Sequence, residues 1–445
     1  MILTGATVVT SLDPVRVASG DLRVEHGRIA GEPPLPGEPR HDCSGCVIVP
    51  GNVCAHTHLY SALARGMPYS LEPPESFVEI LQRIWWRLDR ALDEESIRAS
   101  ALVGGMEALL SGTTTLVDHH ASPNSIDGSL DVIAEALGSL GVRSVLCYET
   151  SDRDGAERAA AGVEENRRFL ERVRSEQPPL VRGLVGAHAS FTLSDETLEA
   201  CAAAARDLGV GIHVHAAEDR ADERDAEARF GLRVAERLAV AGALDQRTLL
   251  AHGVHLDDDE IALVRGAGAA IAHNARSNMN NSIGRARVGA LGPHVALGTD
   301  GIGSDMFEEG RAAFFRLHED DLGAGPDWPL APLAESARIA AHSFAEPLLG
   351  TLLHGAPADL VVLDYVPPAP LDELSLAGHW LFGLSSRWVR DVMVAGEWTV
   401  LGRQLVRADM RVLAVQARDS ARKLWRRLDE LPAHTYAPEG RLTWL

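Results

Sequence analysis

One repeating unit constrains the fold of this chain more than any other feature. A short apolar run ends on or beside a histidine or aspartate, and a helix-like stretch follows. Such runs occupy residues 114–118, 142–147, 181–187, 211–215, 248–252, 269–273 and 295–300, and another ends at His56, making eight. Helical patterns at 94–111, 129–140, 156–173 and 194–208 lie between them. Short apolar strands alternating with crossover helices call for parallel pairing. Eight of them over residues 54–356 predict an α/β fold, a (β/α)8 TIM-like barrel. An open, doubly wound sheet is the alternative. No GxGxxG fingerprint follows the first strand, which disfavours dinucleotide binding.

The flanks have another rhythm. Short strands are predicted at 1–9, 17–24 and 46–49, separated by Gly- and Pro-rich turns, above all at 31–39. At the far end, strand patterns at 358–364 and 389–400, the latter turning at Gly396, precede a helix at 415–428 and a last short strand at 442–445. Strands this short cannot bury two faces alone. Residues 1–53 and 357–445 are therefore expected to form one composite β-sandwich domain with a C-terminal helix, beside the barrel of 54–356. With 46% hydrophobic residues in 445, the chain can build cores of that size.

Acidic residues outnumber basic ones 63 to 42, a formal charge of −21, which argues against nucleic acid or anionic membrane as partners. No run reaches the length of a membrane span. The N-terminus lacks the basic-then-apolar pattern of a signal peptide, so a cytoplasmic location is expected. Among five cysteines, Cys43 and Cys46 have CxxC spacing without a second pair. That excludes a four-cysteine zinc knuckle and leaves a redox pair or two ordinary cysteines near a strand.

In a barrel all strand C-termini open on one face. His56, His58, His119, His188, His215, His252, His273 and Asp300 are thus brought to one face from distant parts of the chain. His56 and His58, two apart on a strand end, point the same way. Alone the pair does not distinguish metal binding from two satisfied polar histidines. In the second pair, His213 and His215, the residue nearer the strand end, His215, is assigned as the ligand and His213 as its support. Asp300 completes the set of His56, His58, His215 and Asp300. Three neutral imidazoles and one carboxylate leave one divalent ion net positive, which suits water activation. Zn2+ is the first choice, and Fe2+ would serve similarly. Residues 181–191 offer His188 and no lysine to bridge two metals. Glu218, just past the strand, is placed for proton transfer, and His252 for a hydrogen bond to the attacking water. His188 is a candidate for orienting a polar substrate atom. Phe191 and Trp85 are candidate stacking surfaces or core aromatics. Asn274, Asn278, Asn280 and Asn281 either pin their loop or reach substrate.

These stretches resemble the amidohydrolase superfamily in its single-metal aminohydrolase branch, alongside cytosine deaminase, guanine deaminase and the triazine hydrolases. The likeness is nearest to the SsnA-type aminohydrolases. It rests on residues 54–66, 81–92, 117–123, 215–218, 273–281 and 298–309 and covers essentially the whole chain. The resemblance implies ligation by His56, His58, His215 and Asp300, catalysis by Glu218, His252 and Asp300, and a homodimer or higher homo-oligomer. It implies hydrolytic deamination of a small amino-substituted nitrogen heterocycle (purine, pyrimidine, pterin or triazine-like) by metal-bound hydroxide. The alternatives are C–Cl or cyclic amide hydrolysis by the same site, or a non-catalytic metal-binding protein. One departure matters: many branch members carry Cys-Pro or Asn-Pro after the seventh-strand histidine, where this chain has Asn274-Ala275-Arg276. Arg276 is a candidate substrate contact or a structural arginine.

Overall fold

The computed structural model describes residues 1–31 and 37–439; the strand expected at 442–445 lies outside the described residues. Two parallel sheets carry the centre of the chain. One holds Asn52–Thr57, Thr113–His120, Arg143–Tyr148 and Val181–Gly183. The other holds Val185–Ala189, Ile212–Ala216, Leu249–His252, Ala270–His273 and Val295–Leu297. Leu184 alone separates the two halves of the fourth run. Its N–H donates to the Leu146 carbonyl at 3.1 Å, and that of Val185 to Gly211 at 3.0 Å, so one run serves a neighbour in each sheet. At the other edge, the N–H groups of Thr299 and Asp300 both donate to the His56 carbonyl, at 2.8 and 3.0 Å. Isolated parallel bridges join Thr57 to Asp300 and Thr150 to Ala187. Gly298 permits the first approach: a Cβ there would lie 2.7 Å from the His56 Cβ.

The helices begin and end where local chemistry dictates. Asp93 and Ser96 cap Glu94–Leu110 reciprocally, and the Ser194 side chain accepts from the Thr197 N–H ahead of Asp195–Leu208. Ser129–Leu140 ends at Gly141 in the left-handed region. Its buried face, with Leu137 and Leu140, joins Leu116, Leu146 and Phe169 in the main apolar core. No helix among the described residues is long and apolar enough to cross a membrane.

Strands from both chain ends share one nine-stranded mixed sheet. Val47–Pro50 pairs parallel with Ile2–Leu12 and antiparallel with Leu360–Leu363, so chain from before and after the centre lies side by side. The expected turn at Gly396 joins Val389–Val394 to Glu397–Leu401 as an antiparallel pair. The last helix, Met410–Asp429, starts five residues earlier than its apolar pattern suggested, because Asp409 caps it. It is tied to the centre by Trp425, whose indole N–H donates to Leu63 O at 2.9 Å, and by Arg427, which donates to Ala91 O at 2.7 Å. Cys43 and Cys46 are buried free thiols against the Arg390 guanidinium, at 3.6 and 3.2 Å. Burial pushes Cys43 up to about 11.

Candidate metal centre and active site

The C-terminal strand ends converge as the repeat predicts. His56 lies in the first strand and His58 directly past its end, His215 comes from the fifth, His252 from the sixth, and Asp300 lies just past the eighth. All are buried. The backbones of Ala217, His252 and Asp300 are left-handed, with φ of 49°, 76° and 54°, so the strands turn sharply where they present these groups.

Each imidazole of the expected ligand set has its Nδ1 committed. That of His58 donates to His119 O at 2.6 Å, and that of His215 to His188 O at 2.8 Å. That of His56 meets His213 Nε2 at 2.9 Å, and His213 in turn faces Cys147 Sγ at 3.7 Å. Nδ1 donation fixes the tautomer and leaves an Nε2 lone pair aimed inward. The Nε2 atoms of His58 and His215 then face each other at 3.1 Å as two acceptors, a contact that a shared cation resolves. His56 Nε2 is buried with no hydrogen-bond partner among the described residues. Asp300 Oδ1 stands 3.2 Å from His58 Nε2 and 3.7 Å from His56 Nε2. The nitrogens and the carboxylate thus fit one divalent ion.

The electrostatics agree. Burial brings His56 down to about 3 and His215 well below its usual range, keeping both neutral, the form that ligates a metal. Burial would lower His58 too, but Asp300 and Glu149 outweigh it and raise the group to about 9. In the absence of an ion, a proton on His58 Nε2 would meet Asp300 Oδ1 at 3.2 Å. Burial opposes the charge on Asp300, yet His56 and His58 hold its carboxyl well below the ordinary range. Glu218 differs: burial, reinforced by Asp300, pushes its carboxyl well above it.

A small cavity opens on this centre, lined by His58, Tyr60, Trp85, Glu149, His188, His215, Glu218, Asn281 and Asp300 among others. His252 Nε2 lies 3.6 Å from Glu218 and 3.9 Å from Asp300. Asn278 does not line the cavity; its Oδ1 accepts from His252 Nδ1 at 2.8 Å. Phe191 packs behind the wall, with its ring 5.8 Å from that of His188 and 6.2 Å from that of Trp86. Arg276 is turned away: its guanidinium donates to Glu309 at 2.5 Å, Glu308 at 2.7 Å and the Gly303 carbonyl at 2.8 Å. Buried Glu309 needs that partner, and the arginine acts as a clamp on the helix Met306–His318. A larger cavity, of about 640 Å³, lies by Gly183, Gly211, Leu249 and Ala270 at the opposite strand ends, away from the histidines.

Glu149 is a charged cavity residue that the sequence did not single out, and Tyr60 is another lining residue of that kind. The third strand extends to Tyr148, one residue beyond the expected run, and Glu149 follows it directly. The signal was present, since polar residues just past strand ends were the criterion throughout. Trp86 and Asn281 were visible only as members of aromatic and asparagine clusters.

The amidohydrolase family model matches residues 47–399. A 5-methylthioadenosine/S-adenosylhomocysteine deaminase of Desulforudis audaxviator is 30% identical over 91% of this chain and 95% of its own length. A 5'-deoxyadenosine deaminase of Methanopyrus kandleri is 30% identical over 85% of this chain and 86% of its own. Among solved structures, a zinc-bound adenosine deaminase of Xanthomonas campestris superposes with a TM-score of 0.80 at 24% identity, covering 97% and 98% of the two chains. The chain belongs to the amidohydrolase family and is a hydrolase of carbon–nitrogen bonds other than peptide bonds.

Proposed function

We propose that this chain deaminates an amino-substituted nitrogen heterocycle by hydrolysis, with one zinc ion held by His56, His58, His215 and Asp300. In the same reading the two parallel sheets close into one (β/α)8 barrel over 54–356, and 1–53 with 357–445 make the second domain. The deaminase names of the curated relatives support the reading.

The observation that carries it is the placement of Glu218. It follows His215 by three residues, shares the cavity with Asp300, and stands 3.6 Å from His252 Nε2. A divalent ion held by His56, His58, His215 and Asp300 would bring the pKa of water toward neutrality. Asp300 and His252 accept from the attacking water and orient it. Glu218, kept protonated by burial, donates to the ring nitrogen as water adds to the carbon bearing the amine. It then helps carry the water's proton to the departing nitrogen, so that water and the amine give an oxo product and ammonia.

The test is ammonia release from purines, pyrimidines, pterins and triazines by protein carrying one equivalent of zinc. Glu218→Gln should keep its zinc and lose about 10²–10⁴-fold in turnover. Full turnover by that variant, or no ammonia from any ring at full occupancy, overturns the proposal.

A further inference from the structure

Among the carboxylates lining the cavity, Glu149 has no task in the proposed chemistry. Burial of an anion needs strong partners, and it has two. Arg153 Nη1 donates to Oε1 at 2.9 Å, and His119 Nδ1 to Oε2 at 3.1 Å. The other nitrogen of His119 meets the His213 carbonyl at 3.1 Å, which fixes the ring beside Glu149. Each Glu149 oxygen receives one protein donor and keeps a further lone pair.

Beside it stands His188, whose Nε2 lies 3.6 Å from Glu149 Oε1, beyond hydrogen-bond length. The Thr192 hydroxyl donates to Ala189 O at 3.1 Å and so accepts, at 2.6 Å, from His188 Nδ1. His188 Nε2 is therefore an acceptor. Two acceptors from different strands line one cavity, 3.6 Å apart and not hydrogen-bonded to each other. A ligand N–H placed there is accepted by the pair; a lone pair would face two acceptors, and a C–H would gain nothing from them.

Position narrows the choice. Ligand atoms of Glu149, His58, His119 and His215 all lie within 4.8 Å of one another. Glu149 therefore stands on the side of the cavity that carries His58 and His215, where a ring bound at the centre would present its edge. Glu218 already serves one ring neighbour of the reacting carbon, a nitrogen that accepts its proton.

Resting on the deaminase reading, we infer that Glu149, seconded by His188, is the specificity-determining residue of this site. It selects rings in which the amine-bearing carbon lies between an N–H and an acceptor nitrogen. That unit is the cyclic –NH–C(NH2)=N– of a 2-amino-4-oxopyrimidine moiety. In adenine and cytosine the corresponding carbon has one acceptor nitrogen and one carbon neighbour, and nothing to offer Glu149.

The experiment compares kcat/KM for guanine, isocytosine and pterin with that for adenine and cytosine, using zinc-loaded protein. At least a 100-fold preference for the first group is expected. Glu149→Gln replaces one acceptor oxygen by a donor; it should cost the first group 100-fold or more and the second far less, so the ratio collapses. The ratio does not depend on the folded fraction, and if the variant fails to fold, the wild-type preference decides alone. Preference for adenine or cytosine, or equal losses on both groups in Glu149→Gln, overturns this inference and leaves the deaminase reading standing. Ammonia from no ring at full zinc occupancy overturns both.

Discussion

Each histidine of the centre has one nitrogen committed to a neighbour and the other aimed at the chemistry, and single substitutions can separate the two. In His252 the commitment is to Asn278 Oδ1 at 2.8 Å, with Asn274 Nδ2 3.4 Å away. A carbonyl oxygen only accepts, so Nδ1 carries the proton and the Nε2 lone pair faces Glu218 and Asp300. Asn278→Ala leaves that N–H unpaired and the ring free to turn. Turnover should fall about 10–100-fold with zinc retained, as for other partners that orient a site imidazole. Asn278→Asp does something different. Burial now lowers the pKa of His252; an anion at Nδ1 favours the imidazolium and raises it. The ring then stays protonated to higher pH, and the acid limb of kcat/KM should move up by about one unit or more. A limb that stays put or moves down would remove His252 from the proton path. At this level the sequence was informative about position at a strand end, which is what brings His56, His58, His215 and Asp300 together. It was silent about Arg276, whose partners Glu308 and Glu309 lie on a later helix and reach it only through the fold.

The alternation of strand and helix was legible because apolar runs and helical periodicity are local properties. Ser129–Leu140 has the bounds that its pattern implied, and Glu94–Leu110 falls one residue short at its end. What local pattern could not supply was how one run divides between neighbours. The fourth run reads as continuous, yet Leu184 interrupts it, since its two halves bond to different sheets. Nor did it mark where strands must nearly touch. Gly298 is such a point: a Cβ there would meet Asn274 Oδ1 at 2.4 Å, the His56 Cβ at 2.7 Å and the His56 nitrogen at 2.9 Å. Two of these atoms belong to the first strand, so Gly298→Ala forces apart the elements that carry His56 and Asp300. Overpacking of this kind costs about 1–3 kcal/mol. The expected signature is a lower melting temperature together with a zinc affinity reduced at least tenfold, read by competition with a chelator. Unchanged affinity would show that the first and eighth strands can separate without disturbing the ligands.

At the largest scale, the sheet built from both chain ends packs against the central sheets, and one buried ion pair spans the two. Arg143 opens the third central strand; Asp359 precedes Leu360–Leu363 in the other sheet. The guanidinium donates twice to the carboxylate, at 2.8 and 3.1 Å, and both side chains are buried. Asp359 also accepts from the Ala395 N–H at 2.6 Å, fixing the turn between Val389–Val394 and Glu397–Leu401. Arg143→Met leaves a buried carboxylate without its cation, and a loss of about 3–5 kcal/mol is expected. Adding Asp359→Asn removes the stranded charge while keeping an acceptor for Ala395. The double variant should then be more stable than Arg143→Met alone, with a coupling of at least ~1 kcal/mol in the cycle. Activity should behave otherwise. Arg143 stands at the start of its strand and Glu149 just past the end, about 20 Å of extended chain apart. Folded protein of either variant should therefore keep its zinc and its kcat. A fall in kcat that tracks the loss of stability, measured where the variants remain folded, would mean that the composite sheet shapes the catalytic strand ends and does not merely brace their far side.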